Sequence, residues 1–300
     1  MSLVPFDDRD GWIWLDGQFV PWRDAKVHVL THGLHYASSV FEGERMYGGE
    51  IFKLTEHTER LFKSAEILDF EIPYTVAEID EACKATAAKN GLKDCYVRPI
   101  AWRGSEMMGV SAQETKIHLA IAVWPWPSYF SPEARLKGIR LKTSQWRRPP
   151  PETAPVHAKA AGLYMICTMS KHEAEASGYD DALMLDWRGN VAEGTGANIF
   201  LIMPDGKIHT PPPDCFLNGI TRQTVMQLAE DHGYEIVERH IKPEELPNAQ
   251  EIFVTGTAAE VTPVGEVDGM AVMVGDVTKT LMAAYDQLVG KKTHDAVSVA

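Results

Sequence analysis

Near the start of the chain, apolar residues flank a strong turn signal. Residues 13–20 read IWLDGQFV, and the pair Asp16-Gly17 stands between residues that favour β-structure. Such a pair is the strongest short-range signal for a β-hairpin. We therefore predict two short strands, one on each side of this turn.

Two later stretches have the periodicity of amphipathic helices. From Thr55 to Leu68, apolar residues recur at i, i+4 and i+7. The segment that starts at Thr75-Val-Ala-Glu78 has the spacing of a capping box, and Asn90-Gly91 is a stop signal. Between these signals, four apolar residues share one helical face: Ile79, Ala82, Cys83 and Ala87. The patterns predict two helices in succession.

A short apolar run, Ile117 to Trp124, predicts a buried strand, and the proline-rich stretch PWPSYFSPEA follows it. Prolines interrupt regular structure, so the domain boundary is predicted here. We expect a small N-terminal α/β domain over residues 1–125, a linker over 126–135 and a larger C-terminal domain over 136–300.

The C-terminal half alternates between strand and helix patterns. A strand is predicted from Ile139, a helix from Lys159 to Ser177 closed by Gly178, and a helix from Thr221 to His232 stopped by Gly233. Hairpins are predicted from ALMLD, VAEGTGANIFLIM and KIHT with the turns between them. This irregular alternation favours an α+β or mixed α/β fold over a doubly wound sheet.

Composition narrows the class of partner. No apolar stretch among the 300 residues approaches the roughly 20 that span a bilayer. The formal net charge of -13 disfavours nucleic acid, which leaves a small molecule as the expected ligand. The start MSLVPFDDRDGW lacks the charged and apolar regions of a signal peptide, and the four cysteines form no C-x-x-C pair. We expect a cytoplasmic protein with reduced, buried thiols.

One lysine and one glutamate are candidates for chemistry. Lys159 lies among the small residues of HAKAAGLY, and partial burial near positive groups would favour the neutral, nucleophilic amine. Glu193 lies in VAEGTGANIF, where glycines would let a flat ring approach the backbone. A carboxylate there would keep a pyridine nitrogen protonated. A solvated lysine and a turn glutamate are the ordinary alternatives.

Two segments are candidate phosphate sites. LNGITR, residues 217–222, opens a helix, and a helix N-terminus offers N–H groups and partial positive charge, with Thr221 as the expected cap. Thr257 lies in the small-residue turn TGTAA after an apolar strand, a pattern typical of an anion nest. Arg60 would add a fixed charge. A plain N-cap, a plain turn and a surface arginine are the alternatives.

Six segments in order resemble one enzyme family. HAKAAGLY, VAEGTGANIF, FLNGITR, TGTAAEVTPVGEVDG, LHYASSVFEG and CYVRPIAWRG are similar to the fold-type IV pyridoxal-phosphate aminotransferases, and among them the branched-chain amino acid aminotransferases. The resemblance runs from about Trp12 to Met273. It implies a two-domain mixed α/β architecture with pyridoxal 5'-phosphate between the domains, the C-terminal domain being the cofactor-binding one.

The resemblance also implies roles for individual residues. Lys159 would hold the cofactor as a Schiff base and move a proton between the substrate Cα and the cofactor C4′. Glu193 would pair with the pyridine nitrogen, Tyr164 would bind the ring hydroxyl, and Leu217 would pack on the ring. The phosphate would be held by Arg60, Ile220, Thr221 and Thr257.

For the substrate, the resemblance implies a pocket that accepts both an aliphatic chain and a carboxylate. Tyr96, Thr257 and Ala258 would bind the α-carboxylate, and Arg98 the second carboxylate of glutamate. The available apolar walls are Tyr36, Phe41, Met107 and Trp126, each of which has a core role as its alternative. The family completes the pocket with a tyrosine and a valine of the neighbouring subunit, which match Tyr36 and Val110. The implied assembly is at least a homodimer.

Two positions depart from the family pattern. Ala197 precedes Asn198 where the family has a glutamate, and Glu44 replaces the usual isoleucine in FEGER. The first departure affects the substrate-side assignment, and the second concerns either the surface or the specificity.

The implied activity is ping-pong transamination of L-leucine, L-isoleucine and L-valine with 2-oxoglutarate. The alternatives within the fold type are an (R)-amine or D-amino acid aminotransferase, or an enzyme similar to aminodeoxychorismate lyase. A non-enzymatic phospho-ligand or assembly protein is a further alternative. A metal site at His32 and His35 lacks further ligands, and a hydride-transfer enzyme lacks its glycine fingerprint.

Overall fold

The computed structural model describes residues 4–126 and 132–291. The chain divides into two compact units. The first comprises Met1–Pro127 together with Ala158–Leu163, and the second comprises Ser128–His157 together with Tyr164–Ala300. No helix in the described ranges is long and apolar enough to cross a membrane.

In its described part, the first unit contains an antiparallel sheet and three α-helices. Its elements are β1 (Trp12–Leu15), β2 (Gln18–Pro21), α1 (His32–Tyr36), β3 (Ser39–Phe41), β4 (Glu44–Tyr47), β5 (Glu50–Ile51), α2 (Leu54–Ile67), α3 (Val76–Lys89), β6 (Cys95–Arg103) and β7 (Ile117–Trp124). The sheet order is β2-β1-β7-β6-β4-β5, and β3 also pairs with β6. Both α2 and α3 contribute to the core, whose fully buried members include Leu61, Ile79, Cys83, Val97, Leu119 and Ile121.

The predicted elements of this unit are present. Asp16 and Gly17 both have positive φ, as a two-residue hairpin turn requires, and they join β1 to β2. Thr75 accepts a hydrogen bond from the Glu78 N–H while the Glu78 side chain accepts from the Thr75 N–H, so the capping box is confirmed. The apolar run at 117–124 is confirmed as β7.

The second unit contains a mixed sheet and, over residues 132–291, four α-helices. Its elements are α4 (Pro132–Lys137), β8 (Ile139–Arg148), α5 (Tyr164–Ala176), β9 (Asp181–Asp186), β10 (Val191–Gly194), β11 (Asn198–Ile202), β12 (Ile208–Thr210), α6 (Ile220–Asp231), β13 (Ile236–Glu238), β14 (Glu251–Gly256), β15 (Glu260–Val267), β16 (Met270–Ala271) and α7 (Asp276–Leu288). The sheet order is β10-β9-β8-β15-β14-β11-β12-β13, with β16 beside β15. Parallel pairs join β8 to β9 and to β15, as a mixed fold requires. The core includes Ile139, Leu141, Leu183, Ile199, Leu201 and Ile252.

The predicted helix from Lys159 to Ser177 is wrong at its start. Residues 161–163 form a 3₁₀ turn, and α5 begins at Tyr164. Lys159 lies outside the helix, because its carbonyl oxygen accepts a hydrogen bond from the Phe41 N–H and Ala160 bridges to Val40. A long-range pairing of this kind overrides a local helical pattern.

The unit boundaries and the predicted linker overlap only in part. Residues 127–131 of the linker lie outside the described residues, and the helix α4 occupies its last positions. The segment Ala158–Leu163, which we predicted within the C-terminal domain, groups with the first unit through its pairing with β3.

Candidate active site

Lys159 is fixed by its main chain within the first unit. Its N–H donates to Oγ of Ser64 on α2 at 2.9 Å, and its carbonyl oxygen accepts from the Phe41 N–H at 3.1 Å. Its Nζ atom lies 5.1 Å from the centroid of the Phe41 ring. Ala158 and Ala160 on either side are buried. The main chain of Lys159 is therefore anchored to α2 and to β3, between two small neighbours.

The same serine connects the lysine to Arg60. Ser64 Oγ donates to the main-chain carbonyl of Arg60 at 2.8 Å. The Arg60 guanidinium donates from Nε and Nη2 to the two oxygens of Glu42, at 2.7 and 2.8 Å. The His57 ring adds a third contact to Glu42, with Nδ1 2.7 Å from Oε2. Two predicted cofactor residues, Lys159 and Arg60, are therefore parts of one network.

Electrostatics in this network favour an ionised Glu42. Burial alone would raise the pKa of Glu42, but the charges of Arg60 and His57 hold it well below its ordinary range. Burial lowers the pKa of His57, Glu42 opposes this, and the positive Arg60 and Lys159 lower it further. The ionised carboxylate fixes the orientation of the Arg60 fork.

One cation, Arg98, lies beside a cluster of aromatic rings formed by Phe41, Tyr96 and Trp126. The Arg98 guanidinium lies 4.7 Å from the Phe41 ring centroid and 5.2 Å from that of Tyr96, and its Nη2 donates to the Tyr96 hydroxyl at 3.3 Å. The ring of Tyr96 packs against Trp126 at 4.8 Å. A Cβ at Gly43 would lie 1.9 Å from the Tyr96 hydroxyl, so glycine is required there. The four predicted substrate residues come together.

Tyr36 and Val110 lie elsewhere on this unit, at its surface. Their exposed fractions are 44% and 87%. His32 connects them: its ring stacks on Tyr36 at 4.6 Å, and its Nε2 bonds to the carbonyl oxygen of Gly109 at 2.9 Å. His35 Nε2 bonds to the Val29 carbonyl at 2.9 Å, so both histidines have structural partners.

In the second unit, Glu193 on β10 is held from two sides. Arg148 Nε lies 3.3 Å from Oε1, and Asn198 Nδ2 donates to Oε2 at 3.3 Å. Burial would lower the pKa of Arg148, but Glu193 above all raises it, and Tyr164 also acts on it. Arg148 Nη1 also donates to the Cys167 sulfur at 3.5 Å. Arg148 thus contacts one predicted ring-binding residue, Glu193, and interacts electrostatically with the other, Tyr164.

The start of α6 differs from the prediction in its capping residue. Gly219, not Thr221, is the N-cap, and it supplies no side-chain cap bond. Thr221 lies in the first turn and is buried. Position 219 requires glycine, because a Cβ there would lie 2.3 Å from Asn198 Oδ1. The first-turn N–H groups are therefore left to a ligand or water.

The remaining predicted residues of this unit lie in two turns. Leu217 precedes α6, and its carbonyl oxygen accepts from Asn198 Nδ2 at 3.1 Å. Thr257 and Ala258 lie in the half-buried turn between β14 and β15. Glu260 closes this turn with a φ of 55°, a strained value for a residue with a side chain, and ion pairs with Lys291 and Arg135 hold it.

A family model decides the class of protein. The model described as amino-transferase class IV matches residues 39–267 of this chain. The chain belongs to the class IV aminotransferases.

Other members of the class match nearly the whole chain. The branched-chain-amino-acid aminotransferase of Pseudomonas aeruginosa is 48% identical over 294 residues, which is 96% of this chain and 95% of that protein. A branched-chain aminotransferase of Thermoproteus uzoniensis, solved with norvaline, has a TM-score of 0.90 at 39% identity and covers 95% of this chain and 97% of its own. The T.th. enzyme complexed with N-(5'-phosphopyridoxyl)-L-glutamate has a TM-score of 0.89 at 40% identity, over 95% and 96%. The predicted family and mixed α/β fold are confirmed.

The side chains of this class IV aminotransferase fit a phosphorylated pyridine cofactor. The second unit offers a helix start without a side-chain cap, where only glycine fits at position 219, and a glutamate held by a hydrogen bond from Asn198 and an ion pair with Arg148. The N–H groups at the start of α6 suit an anionic phosphate, and the Glu193 carboxylate suits a ring N–H. Among the described residues, no group of three or more His, Cys, Asp or Glu side chains is arranged to hold a metal ion.

Sequence reasoning missed the residues that support the site. Glu42, His57 and Ser64 were not predicted, although a signal exists: His57 lies four residues before Leu61 and extends the buried stripe of α2. A buried basic residue on such a stripe needs a carboxylate partner. Asn198 lies in the family segment VAEGTGANIF, but no role was predicted for it. Arg148 gave no local signal, because it meets its partner Glu193 only in the folded sheet.

Proposed function

We propose that this protein transfers the amino group of L-leucine, L-isoleucine and L-valine to 2-oxoglutarate, giving the branched-chain 2-oxo acids and L-glutamate in a ping-pong reaction. The predicted enzyme class and its cofactor, pyridoxal 5'-phosphate, are confirmed by the class IV family and by relatives that are branched-chain aminotransferases. The named site residues remain part of this proposal.

When bound, pyridoxal 5'-phosphate supplies an aldehyde carbon that condenses with amines and a ring that accepts the electron pair of the substrate Cα–H bond. In this chain, Nζ of Lys159 would tether the cofactor and would move the proton between the substrate Cα and C4′. Glu193 would accept a hydrogen bond from the ring nitrogen, Tyr164 would bind the ring hydroxyl, and Leu217 would pack on the ring. The phosphate would be held by Arg60, Ile220, Thr221 and Thr257.

The substrate class rests on the cluster around Arg98. Its guanidinium is surrounded by the aromatic rings of Phe41 and Tyr96, with Trp126 behind Tyr96. Such a wall packs against an aliphatic side chain, while the guanidinium binds the second carboxylate of glutamate. The α-carboxylate is assigned to Tyr96, Thr257 and Ala258. The glutamate adduct solved with the T.th. relative supports a dicarboxylate substrate.

A substrate panel tests the proposal. Initial rates with 2-oxoglutarate are compared for L-leucine, L-isoleucine, L-valine, D-alanine and (R)-1-phenylethylamine. We expect turnover of the three L-branched acids and little of the other two. Negligible turnover of the L-branched acids, with turnover of D-alanine or the amine, would transfer the assignment to the D-amino acid or (R)-amine enzymes of the same fold type.

A homodimer belongs to the same proposal. The exposed Tyr36 and Val110 are assigned to the pocket of a neighbouring subunit. An apolar groove of about 310 Å³ in the first unit is lined by Ile13, Leu15, Val27, Leu34, Ile100 and Trp102. Val29 and Leu34 are 71% and 63% exposed. Exposed aliphatic residues of this kind mark an interface, and a second copy of this chain is the occupant we assign.

Sedimentation velocity tests the assembly. Wild type should sediment as a dimer or a larger homo-oligomer, and Leu34→Glu should shift it toward the monomer and lower the activity with it. Leu136→Glu, at an exposed position outside this groove, is the control. A monomeric, fully active wild type would remove Tyr36 and Val110 from the site.

We place the enzyme in the cytoplasm, in keeping with four buried cysteine thiols.

A further inference from the structure

Three polar side chains form a row across neighbouring strands of the second unit. Glu193 on β10 is paired with Asn198 on β11, and Asn198 is paired with Thr255 on β14. Residues directly opposite each other on paired strands project to the same face of the sheet. All three are buried, with exposed fractions of 9%, 5% and 0%. Buried polar side chains in a sheet core need a reason, because unmet hydrogen bonds there are costly.

Asn198, the middle member of the row, uses its amide nitrogen twice. Nδ2 donates to Oε2 of Glu193 at 3.3 Å and to the carbonyl oxygen of Leu217 at 3.1 Å. Both partners only accept hydrogen bonds, so the amide must present its nitrogen, not its oxygen, to them. One planar group therefore connects a carboxylate on β10 to the main chain that leads into α6.

The other side of the Asn198 amide also contacts this main chain. Its Oδ1 lies so close to Gly219 that a Cβ there would come within 2.3 Å. Gly219 is the N-cap of α6 and has no side-chain cap bond. The position of the helix start therefore depends on the position of the Asn198 side chain.

The far oxygen of Glu193 is occupied by Arg148, whose Nε lies 3.3 Å from Oε1. Arg148 is 4% exposed and is fixed on β8. With Arg148 on one side and Asn198 on the other, the carboxylate plane has little freedom to turn. Of these two partners of Glu193, Asn198 is the one that also contacts the segment leading into α6.

We propose that Asn198 is a positioning residue that couples the carboxylate for the cofactor ring to the helix start for the cofactor phosphate. The inference rests on the proposed roles of Glu193 and of the start of α6. Asn198 touches neither substrate nor cofactor in this scheme. Asn198 fixes the distance between the Glu193 carboxylate and the start of α6, so the ring and the phosphate of the cofactor are positioned together.

The first test measures cofactor affinity rather than turnover. Cofactor-free Asn198→Ala is titrated with pyridoxal 5'-phosphate, and binding is followed by quenching of tryptophan fluorescence. We expect Kd to rise by about tenfold or more, the factor that corresponds to one hydrogen bond to a charged group. Thermal unfolding of the cofactor-free protein is measured in parallel.

Thr210→Val is the matched control. Thr210 is fully buried on β12 and donates to the carbonyl oxygen of Ile199, the residue after Asn198, at 2.8 Å. This variant also loses one buried hydrogen bond of the same sheet, so its stability should fall, but its cofactor Kd should not change. Equal Kd values for wild type and Asn198→Ala would overturn the proposal, and so would an equal rise in Thr210→Val.

A double-mutant cycle tests the coupling itself. If Asn198 acts through Glu193, the effect of Asn198→Ala on Kd should shrink in a Glu193→Ala background. Fully additive effects would overturn the coupling.

Gly219→Ala is a second test if Asn198→Ala does not fold, because the new Cβ displaces the side-chain amide of Asn198 without deleting it. It should raise Kd in the same way.

Asn198→Asp is tested through the pH dependence of the cofactor Kd, which a purely structural role of Asn198 would not change. At neutral pH its second carboxylate faces Glu193 and the Leu217 carbonyl, so Kd should rise more than in Asn198→Ala. As the pH falls, Glu193 and the new carboxylate together bind one proton, which forms a hydrogen bond between them. The affinity of the variant for pyridoxal 5'-phosphate should then approach that of wild type. The other titratable groups that act on Glu193 keep their state: Arg148 stays charged, and burial raises the pKa of Cys167 to about 11 and of Cys215 to about 12.

If the loss of cofactor affinity in Asn198→Asp does not depend on pH, the proposal is overturned.

Failure of this coupling proposal is distinguishable from failure of the proposed function. If wild type binds pyridoxal 5'-phosphate and transaminates L-leucine while the Asn198 variants bind normally, only the coupling is wrong. If wild type neither binds nor transaminates, the proposed function itself is wrong.

Discussion

The two units each bury a glutamate beside an arginine, but the two pairs differ in geometry. In the first unit, Glu42 has no exposed surface and takes a bidentate contact from Arg60 at 2.7 and 2.8 Å, with His57 as a third partner. In the second unit, Glu193 is 9% exposed and meets Arg148 and Asn198 at 3.3 Å each. The short, sealed contact suits a carboxylate that positions an arginine. The longer contacts at a slightly open position suit a carboxylate that itself receives a ligand.

A second contrast lies inside the first unit. Glu42 and Glu44 are two residues apart and equally buried, yet neither oxygen of Glu44 has a hydrogen-bond partner within the described residues. Burial, followed by the charges of Glu42 and Asp80, raises the pKa of Glu44 well above its ordinary value. Arg60 and His57 lower the pKa of Glu42, whereas burial beside other carboxylates raises the pKa of Glu44.

The largest expected effect comes from the lysine beside the first pair. Lys159→Ala should lower kcat by at least about 10⁴-fold, because no other amine is proposed to form the tether and move the proton. Loss of the visible absorption of the bound cofactor should accompany it. Lys63→Ala, which removes an exposed lysine of α2, should leave both unchanged. Near-normal turnover by Lys159→Ala would contradict the mechanism.

The comparison between the two carboxylates is sharpest for Glu193→Gln. A neutral amide keeps the shape and an acceptor but cannot stabilise a protonated ring nitrogen. We expect kcat to fall by roughly 10²-fold while cofactor Kd and thermal stability change little. Steady-state kinetics with L-leucine and fluorescence titration measure the two separately. An unchanged rate would mean that Glu193 does not contact the ring nitrogen.

Glu42→Gln should show the opposite pattern, with stability as the main loss. Removing the charge leaves the half-buried Arg60 guanidinium without its counter-ion and the buried His57 ring without its carboxylate partner, so the free energy of unfolding at pH 7 should fall by about 3 kcal/mol. The folded-state pKa of Glu42 lies below the reference value of 4.5, so its contribution is present above that pH and is lost as pH falls further. Urea unfolding at pH 7 and pH 4 checks the sign. Equal stabilities at pH 7 would contradict it.

The smallest effect is expected for Glu44→Ile, and its sign is reversed. The substitution removes two buried oxygens that lack partners among the described residues, so it should stabilise the protein by about 1–2 kcal/mol at pH 8. The folded-state pKa of Glu44 is raised, so wild type loses stability as pH rises above 4.5, and the gain should shrink toward that pH. Glu50→Ile at an exposed position is the control. A destabilised Glu44→Ile would indicate a partner for this carboxyl.

Local signals in the sequence predicted local structure well. The Asp16-Gly17 turn and the Thr75 capping box specify their elements with residues that are near neighbours, and both are confirmed. The family resemblance and the mixed fold are confirmed as well. Turn and cap chemistry depends on a few adjacent residues, so it can be recognised without the fold.

What could not be predicted depends on contacts between distant residues. Lys159 resembles the start of a helix, but its segment pairs instead with Phe41 and Val40, which lie far earlier in the chain. Thr221 resembles an N-cap, but the cap is Gly219, which lies against Asn198, a residue of a different strand. The supporting Arg148 and Glu42 meet their partners only after folding. The roles of the individual site residues remain predictions until the variants are measured.

The four cysteines have a practical consequence. All four are buried, and burial raises their thiol pKa values, to about 11 for Cys95 and Cys167 and about 12 for Cys215. Alkylating reagents attack the exposed thiolate, so the native protein resists iodoacetamide until a segment opens. Cys83 and Cys95 belong to the first unit and Cys167 and Cys215 to the second. The labelled peptides, separated by mass, therefore report the opening of each half independently, without an introduced probe.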